Sequence, residues 1–348
     1  MRTNRREMMI GGGAFALLFG TNTGLAREMA RDRFAAVDPQ MIDDLRLLPP
    51  PVAATDATLA AYRRRPGRRP AHPLPLSPVA ALPSATVAVP GLPGQPAVTT
   101  VQFDGAPGRK GRGAIVWIHG GGYITGAASI PIALKEAAQR HGWLVVSVDY
   151  RLAPEARIDA SLADTYAALR WVHRQAATLG VDPARIAVGG SSAGGGHAAM
   201  LALAARDRGE ISLAYQVLIY PMLDDRTGSS RAARAGTGDF VWTAAANRYG
   251  WSSLLGVAAG SDAVPPRTVP GRRSDVAGLP PAFIGVGTLD LFLDEDIAYA
   301  GRLAAAGVPV DLAVVPGAFH AFDNIAPGAR ASRAFTARWI AGLTAALT

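Results

Sequence analysis

The chain has 348 residues, 49% of them hydrophobic and 18% charged, a globular composition long enough to bury a large core. The sequence contains no cysteine, which excludes disulfide bonds, cysteine–zinc sites and a thiol nucleophile. Its formal net charge is +8, but nearly all the basic residues are arginines scattered along the chain. A nucleic-acid-binding element would interleave basic and aromatic residues, so we expect no nucleic-acid partner.

Residues 1–26 resemble an export signal of the twin-arginine type. Arg5 and Arg6 precede an apolar, glycine-rich run over residues 10–20. That run is shorter than the roughly 20 residues that span a bilayer, and Gly24 and Ala26 offer the small side chains of a cleavage site. We therefore expect a periplasmic or secreted protein without stable membrane insertion after export. An uncleaved N-terminal membrane anchor and a wrongly assigned start codon are the alternatives.

Residues 27–84 are predicted to form two short helices and a proline-rich connection. One helical pattern includes Met41 and Leu45, and a second includes Leu59 and Tyr62. Prolines then recur up to about Pro96, which indicates an extended segment on the surface. Because an amphipathic helix pair must pack on something, we expect it to cover part of the domain that follows.

Residues 85–348 alternate between short apolar strands and helical patterns, one helix being predicted over residues 161–175. The predicted strands include Val98–Phe103, Ala114–Ile118, Trp143–Val148, Ile186–Val188, Tyr215–Tyr220, Ala282–Val286 and Val310–Val315. Wholly apolar strands separated by helices indicate an α/β fold with a mostly parallel central sheet and helices on both faces. The alternation breaks down over residues 222–279, which we interpret as an insertion.

A glycine-rich corner follows the strand Ile186–Val188. Residues 190–194 read Gly-Ser-Ser-Ala-Gly, the G-x-S-x-G pattern of a nucleophile elbow. A strand that turns this sharply into a helix strains the central Ser192, and a Cβ at either flanking glycine would collide with backbone. An ordinary strand–helix turn is the alternative for this pattern taken alone.

A second glycine-rich motif, HGGG at His119–Gly122, follows the strand Ala114–Ile118. Consecutive glycines let backbone N–H groups turn toward one point, as binding of a tetrahedral oxyanion requires. HGGG upstream of G-x-S-x-G is the pairing of lipases and esterases. The two motifs occur in this order, and each directly follows an apolar strand. Two unrelated turns would not explain that arrangement well.

A serine nucleophile needs a base and a carboxylate. His320 follows the last predicted strand, at the edge where parallel sheets carry functional groups. Asp290 follows the strand Ala282–Val286 and is the predicted partner of His320, whereas residues 294–296 are expected to cap the next helix. The order Ser192, Asp290, His320 is that of α/β-hydrolases. The other histidines are less suitably placed: His72, His119, His141, His173 and His197.

The chain resembles the hormone-sensitive lipase family of α/β-hydrolases, the bacterial HGGG-type esterases. The resemblance rests on HGGG at His119–Gly122, on Asp-Tyr-Arg-Leu-Ala-Pro-Glu at 149–155, on the elbow block 182–195, and on Leu-Pro-Pro-Ala at 279–282. It extends from about residue 37 to the C-terminus. Two departures stand out, because the family often has Asp where this chain has Ser191 and Gly where it has Ala321.

The resemblance implies an α/β-hydrolase fold with a helical cap built from the N-terminal helices and the insertion 222–279. It also implies an oxyanion hole made by Gly121, Gly122 and Ala193, with no metal or cofactor. The expected function is hydrolysis of short-to-medium acyl esters of small molecules through an acyl-enzyme. A non-catalytic small-molecule receptor on the same fold and a long-chain lipase are the alternatives, and amidase or transferase chemistry stays open. A homodimer is one of the oligomeric states left open.

Overall fold

In the computed structural model the described residues are 33–49, 53–64 and 77–348. The chain divides into a first unit, Met1–Ala36, and a second unit, Val37–Thr348. All elements named below belong to the second unit. The predicted export signal, residues 1–26, lies outside the described residues, as do residues 50–52 and 65–76 of the connection.

One eight-stranded sheet forms the centre of the second unit, in the order β1-β2-β4-β3-β5-β6-β7-β8. Its strands are β1 Ala85–Val89, β2 Val98–Asp104, β3 Arg112–Ile118, β4 Leu144–Val148, β5 Val181–Ser191, β6 Tyr215–Ile219, β7 Ala282–Gly287 and β8 Val310–Val315. The strand β2 is antiparallel to both β1 and β4, and all other pairs are parallel. The prediction of a mostly parallel sheet is confirmed. Strands β3, β4, β6 and β7 are wholly buried, which explains why their sequences are continuously apolar.

Helices cover both faces of the sheet. The helices of the main fold are α3 Ile132–His141, α4 Ile158–Arg174, α5 Ala176–Leu179, α6 Ala193–Arg208, α8 Leu293–Ala305, α9 Phe322–Ile325 and α10 Arg330–Leu347. Apolar residues of α4, α6 and α8 share one core cluster with Val116 of β3. On the opposite face Trp117 stacks on Trp339 of α10, with ring centroids 5.9 Å apart. In the described part of the chain, no helix has the length and apolar character needed to cross a membrane.

Three further helices lie in the N-terminal segment and the insertion: α1 Ile42–Arg46, α2 Leu59–Arg63 and α7 Ala244–Leu255. The sequence predicted the first two but no regular element within residues 222–279. The α7 helix begins where the Thr243 side chain accepts a hydrogen bond from the Ala246 N–H and ends at Gly256 in a left-handed conformation. Small and polar residues on α7 weaken its helical pattern, so its formation depends on packing of residues such as Trp251.

The N-terminal segment contacts the loops that follow β3 and β4. The Arg63 side chain on α2 donates hydrogen bonds to the Ile124 and Ala153 carbonyl oxygens at 2.7 and 2.9 Å. Tyr249 of α7 donates to Asp56 at 2.8 Å and thereby joins the insertion to the same segment. These contacts bring both extra segments to the sheet edge that carries the glycine motif. That the two segments form a cap stays a prediction.

The parallel register brings the strand ends together at that edge. Ile118 at the end of β3 pairs with Gly190, and Ser191 at the end of β5 pairs with Ile219. Gly287 at the end of β7 pairs with Val315 at the end of β8. Loops that leave these ends therefore start side by side although they are far apart along the chain.

Candidate active site

The corner between β5 and α6 holds Ser192 in a strained backbone conformation, with φ 57° and ψ −124°. Such a conformation costs about 1–3 kcal/mol for a residue other than glycine. A Cβ at Gly190 or Gly194 would lie 2.5 or 2.1 Å from the carbonyl oxygen of Ile118. The expectation that both flanking positions exclude a side chain is therefore confirmed. The backbone is anchored by a 2.8 Å hydrogen bond from the Ser192 N–H to the Ile219 carbonyl oxygen.

Ser192, His320 and Asp290 form one chain of hydrogen bonds. The His320 Nε2 lies 2.9 Å from the Ser192 Oγ, and its Nδ1 lies 2.8 Å from the Asp290 Oδ2. Since a carboxylate only accepts, Nδ1 carries the proton and Nε2 can accept one from the serine. The Asp290 Oδ1 also accepts the Phe292 N–H at 3.0 Å, which fixes the carboxylate. The three side chains are buried, Ser192 being 7% exposed.

The glycine motif after β3 lies beside this serine. Gly121 and Gly122 have φ values of 120° and 61°, and a Cβ at either would lie 2.0 Å from Thr125 or Trp242. Among the described residues, no hydrogen bond is donated by the N–H groups of Gly121, Gly122 or Ala193. These three amides, the predicted oxyanion-binding groups, are therefore available to an incoming ligand atom.

His119 is held in the wall behind the glycine motif. Its Nδ1 donates to the Gly120 carbonyl oxygen at 2.8 Å, and its ring stacks on Tyr150 at 4.4 Å. The Tyr150 hydroxyl in turn donates to the His119 carbonyl oxygen at 3.1 Å. Burial lowers the pKa of His119 below its usual value, which favours the neutral ring. These contacts brace the turn.

His197 lies on α6, fully buried between Tyr123 and Tyr150 at centroid distances of 5.0 and 4.6 Å. Burial is the main cause that lowers the pKa of His197 to about 3, so the ring is neutral at physiological pH. Neither ring nitrogen has a hydrogen-bond partner among the described residues. Of the histidines that the structure describes, His320 is the one hydrogen bonded to Ser192.

The acidic residues 294–296 lie in the first turn of α8, as predicted, but no side chain caps the helix. Asp294 is exposed and pairs with Arg234, whereas Glu295 and Asp296 are buried. The Glu295 Oε1 accepts the backbone N–H groups of Leu223 and Asp224 at 2.7 and 3.1 Å. Burial raises the pKa of both Glu295 and Asp296. No sequence pattern indicates this contact, because Glu295 binds the start of an insertion that is distant along the chain.

Ser191, which departs from the family pattern, is half-buried. It lines a cavity of about 210 Å³ together with Tyr220, Asp323 and Asn324. No motif in the sequence pointed to Tyr220, Asp323 or Asn324. Within the described ranges, no group of three or more histidine, aspartate or glutamate side chains is arranged to hold a metal ion.

A hydroxyl, an imidazole and a carboxylate linked in this order have the geometry for nucleophilic acyl transfer. The model of a protein family described as alpha/beta hydrolase fold matches residues 115–324. That range includes the glycine motif, the strained serine, Asp290 and His320.

Two relatives and one solved structure that are similar to this chain are named esterases. The carboxylesterase NlhH of Mycobacterium tuberculosis (strain CDC 1551 / Oshkosh) is 39% identical over 236 residues, 67% of this chain and 73% of that protein. The esterase LipI of Mycobacterium tuberculosis (strain ATCC 25618 / H37Rv) is 33% identical, covering 91% of this chain and 97% of that protein. A solved structure titled bacterial heroin esterase has a TM-score of 0.77 and 33% identity, covering 90% of this chain and 99% of that chain.

Proposed function

This chain belongs to the α/β-hydrolase family, of the hormone-sensitive lipase type, and is a carboxylic ester hydrolase; from that premise we propose how it acts. We propose that Ser192, His320 and Asp290 hydrolyse short-to-medium acyl esters of small molecules through an acyl-enzyme. The observation that carries the proposal is the unbroken pair of hydrogen bonds, 2.9 Å from Ser192 to His320 and 2.8 Å from His320 to Asp290.

Acylation begins when His320 Nε2 accepts the proton of Ser192 as the Oγ attacks the ester carbonyl carbon. The proton on Nδ1 stays on His320, and the Asp290 carboxylate stabilises the imidazolium that forms. Because Asp290 also accepts the Phe292 N–H, the carboxylate does not have to reorient during this step. The imidazolium then protonates the alkoxide, and the alcohol leaves.

The former carbonyl oxygen, now negatively charged, is proposed to accept hydrogen bonds from the N–H groups of Gly121, Gly122 and Ala193. Removing one such donor in a serine hydrolase lowers kcat by about 10²–10³. In deacylation, water takes the place of the alcohol, His320 accepts its proton, and the same amides bind the second oxyanion. The carboxylic acid is released and Ser192 recovers its proton, so the cycle needs no external co-reactant.

We propose that helices α1 and α2 and the insertion 222–279 together form the cap over this site. Support comes from Arg63, which bonds to the loops after β3 and β4, and from the bond between Tyr249 and Asp56. The Trp242 ring of the insertion also lies directly against Gly122. Replacing Trp242 by Ala is expected to shift the preferred acyl length among p-nitrophenyl esters. The kcat for the acetate ester should change little.

Export through a twin-arginine pathway is also proposed, on the pattern at Arg5 and Arg6 alone. Cell fractionation of the full chain is expected to find the protein outside the cytoplasm. The double change Arg5→Lys and Arg6→Lys should retain it in the cytoplasm, and an unchanged distribution would contradict the proposal.

The proposed reaction is tested with p-nitrophenyl esters from acetate to palmitate. Activity is expected to be highest for the shorter acyl groups, and Ser192→Ala should lower kcat by about 10⁶-fold, as removal of a triad serine does elsewhere. Ser191→Ala is the matched control, because it removes the neighbouring hydroxyl and leaves the triad intact. Absence of turnover in the wild-type chain would favour a receptor, and a maximum at palmitate would favour a lipase.

A further inference from the structure

Tyr220 occupies an unusual position directly after β6. Its φ of 34° lies in the region that favours glycine, yet its side chain is fully buried. The backbone N–H donates to the Gly285 carbonyl oxygen at 2.6 Å, which binds the residue to the end of β7. A bulky residue kept in a strained conformation indicates that its side chain is required at this point.

The Tyr220 ring packs against the imidazole of His320. The ring centroids lie 4.9 Å apart at an interplanar angle of 64°, an edge-to-face contact. Phe292 makes a second edge-to-face contact with the same imidazole at 5.2 Å. Hydrogen bonds to Ser192 and Asp290 hold the two ring nitrogens, while the two aromatic rings restrict rotation of the imidazole.

The Tyr220 hydroxyl is itself held by the helix that follows His320. It donates to the Asp323 Oδ1 at 2.7 Å and accepts from the Asn324 Nδ2 at 2.9 Å. Burial raises the pKa of Tyr220, so the hydroxyl keeps its proton and remains a donor. Ala321, in a left-handed conformation, turns the chain into α9 and brings both partners back to the tyrosine.

On the basis of the proposed function, we infer that Tyr220, clamped by Asp323 and Asn324, is a positioning residue for the base His320. The clamp connects β6 to the loop after β8, and Tyr220 and Asp323 are 103 residues apart in sequence. Without the two hydroxyl bonds the tyrosine ring loses its anchor to α9, and the imidazole that packs on it is held less precisely in the geometry in which it accepts the proton of Ser192. The clamp therefore acts on kcat through the base and leaves substrate binding unchanged.

The test is Tyr220→Phe, which keeps the ring and removes only the hydroxyl. A displacement of a reacting group by about 1 Å costs up to roughly 100-fold in rate, so we expect kcat for p-nitrophenyl acetate to fall about 10- to 100-fold with KM unchanged. The rate at which an aryl phosphonate labels Ser192 should fall by a similar factor, because labelling also requires His320.

Tyr166→Phe is the matched control. Tyr166 is a fully buried tyrosine on α4 whose hydroxyl donates to a carboxylate, that of Glu210, at 3.0 Å. Loss of the Tyr166 hydroxyl should lower the stability of the protein about as much as loss of the Tyr220 hydroxyl does, with no change in kcat. Asp323→Asn preserves an oxygen that accepts the Tyr220 hydroxyl, so it should retain more of the wild-type kcat than Asp323→Ala.

A folded Tyr220→Phe variant with kcat within two-fold of the wild type would overturn the inference. It would also be overturned if Tyr166→Phe lowered kcat as much, or if Asp323→Asn and Asp323→Ala were equally impaired. Failure of the proposed function is distinguished by Ser192→Ala. Full activity of that variant rejects the triad, whereas an inactive Ser192→Ala beside a normal Tyr220→Phe rejects only the clamp.

Discussion

The backbone N–H of Leu289 donates a 2.9 Å hydrogen bond to the carbonyl oxygen of Ala318. This bond continues the pairing of β7 with β8 beyond the ends of both strands, directly before Asp290 on one side and close to His320 on the other. Gly287 permits the approach, because a Cβ there would lie 2.1 Å from the same carbonyl oxygen. The loops of Asp290 and His320 are thus joined to each other, which holds the two side chains in a fixed geometry.

The carboxylate of Asp290 should be essential for rate but not for folding. Asp290→Asn keeps an oxygen that accepts the Phe292 N–H, but the amide cannot stabilise the imidazolium, so kcat should fall by about 10⁴-fold. This loss of kcat is measured by steady-state hydrolysis of p-nitrophenyl acetate. Asp294→Asn, which changes an exposed carboxylate paired with Arg234, is the control and should be nearly neutral. A loss of less than ten-fold in Asp290→Asn would contradict the assigned role.

A side chain at Gly122, the third glycine of the HGGG motif, should displace the loop that follows β3. In Gly122→Ala the new Cβ would lie 2.0 Å from the Trp242 ring at a positive φ, so kcat is expected to fall by about 10²–10³. Gly94→Ala is the matched control, since Gly94 also has a positive φ, 77°, but no atom within 4 Å of the added Cβ. If both variants retained full activity, the loop would not bind the oxyanion.

His197 should make the protein less stable in acid. Its pKa in the folded chain is about 3, below the usual value of about 6.5, so between these pH values the unfolded chain binds a proton that the folded chain does not. Stability is therefore expected to fall as the pH drops from about 6.5 toward 3. His197→Leu should remove this dependence, and the slope should decrease by about 1.4 kcal/mol per pH unit.

Urea unfolding at a series of pH values measures the slope. His173→Asn, at a half-buried position near the end of α4, also removes an imidazole and is the control. Identical slopes for the wild type and His197→Leu would show that His197 does not contribute to acid sensitivity.

The backbone at Ala321 is expected to be strained, and replacing Ala321 by glycine should relieve the strain. Its φ of 62° costs a residue with a Cβ roughly 1–2 kcal/mol, while glycine loses about 0.5–1 kcal/mol of backbone entropy. Ala321→Gly should therefore raise the free energy of unfolding by about 0.5–1 kcal/mol. Ala306→Gly makes the same change at a φ of −88° and should lower it. Destabilisation of both variants to the same extent would contradict the strain at Ala321.

The sheet and the meeting of the site residues could be predicted because their signals are local. Continuous apolar strands predicted a parallel sheet, and parallel strands end at one edge, where Ser192, Asp290 and His320 each follow a strand. The glycines at 190 and 194 were predictable for the same reason, since the corner itself excludes a Cβ.

Contacts between distant segments have no such signal. Glu295 follows the start of a helix, so it looks like a residue that complements the helix dipole, but the backbone it binds belongs to the insertion. Tyr220 looks like the last residue of a buried strand, and only the fold brings Asp323 to its hydroxyl. Helix α7 forms because the rest of the domain packs on it, which a single-sequence pattern does not contain.

The central claim is that Ser192 is the nucleophile, and covalent labelling tests it most directly. The wild-type chain is incubated with an aryl phosphonate ester, and its peptides are mapped by mass spectrometry. We predict one phosphonyl group per inactivated chain on Ser192, also present in Ser191→Ala and absent from Ser192→Ala. A phosphonyl group on a different residue, or hydrolytic activity that persists in Ser192→Ala, would contradict the account.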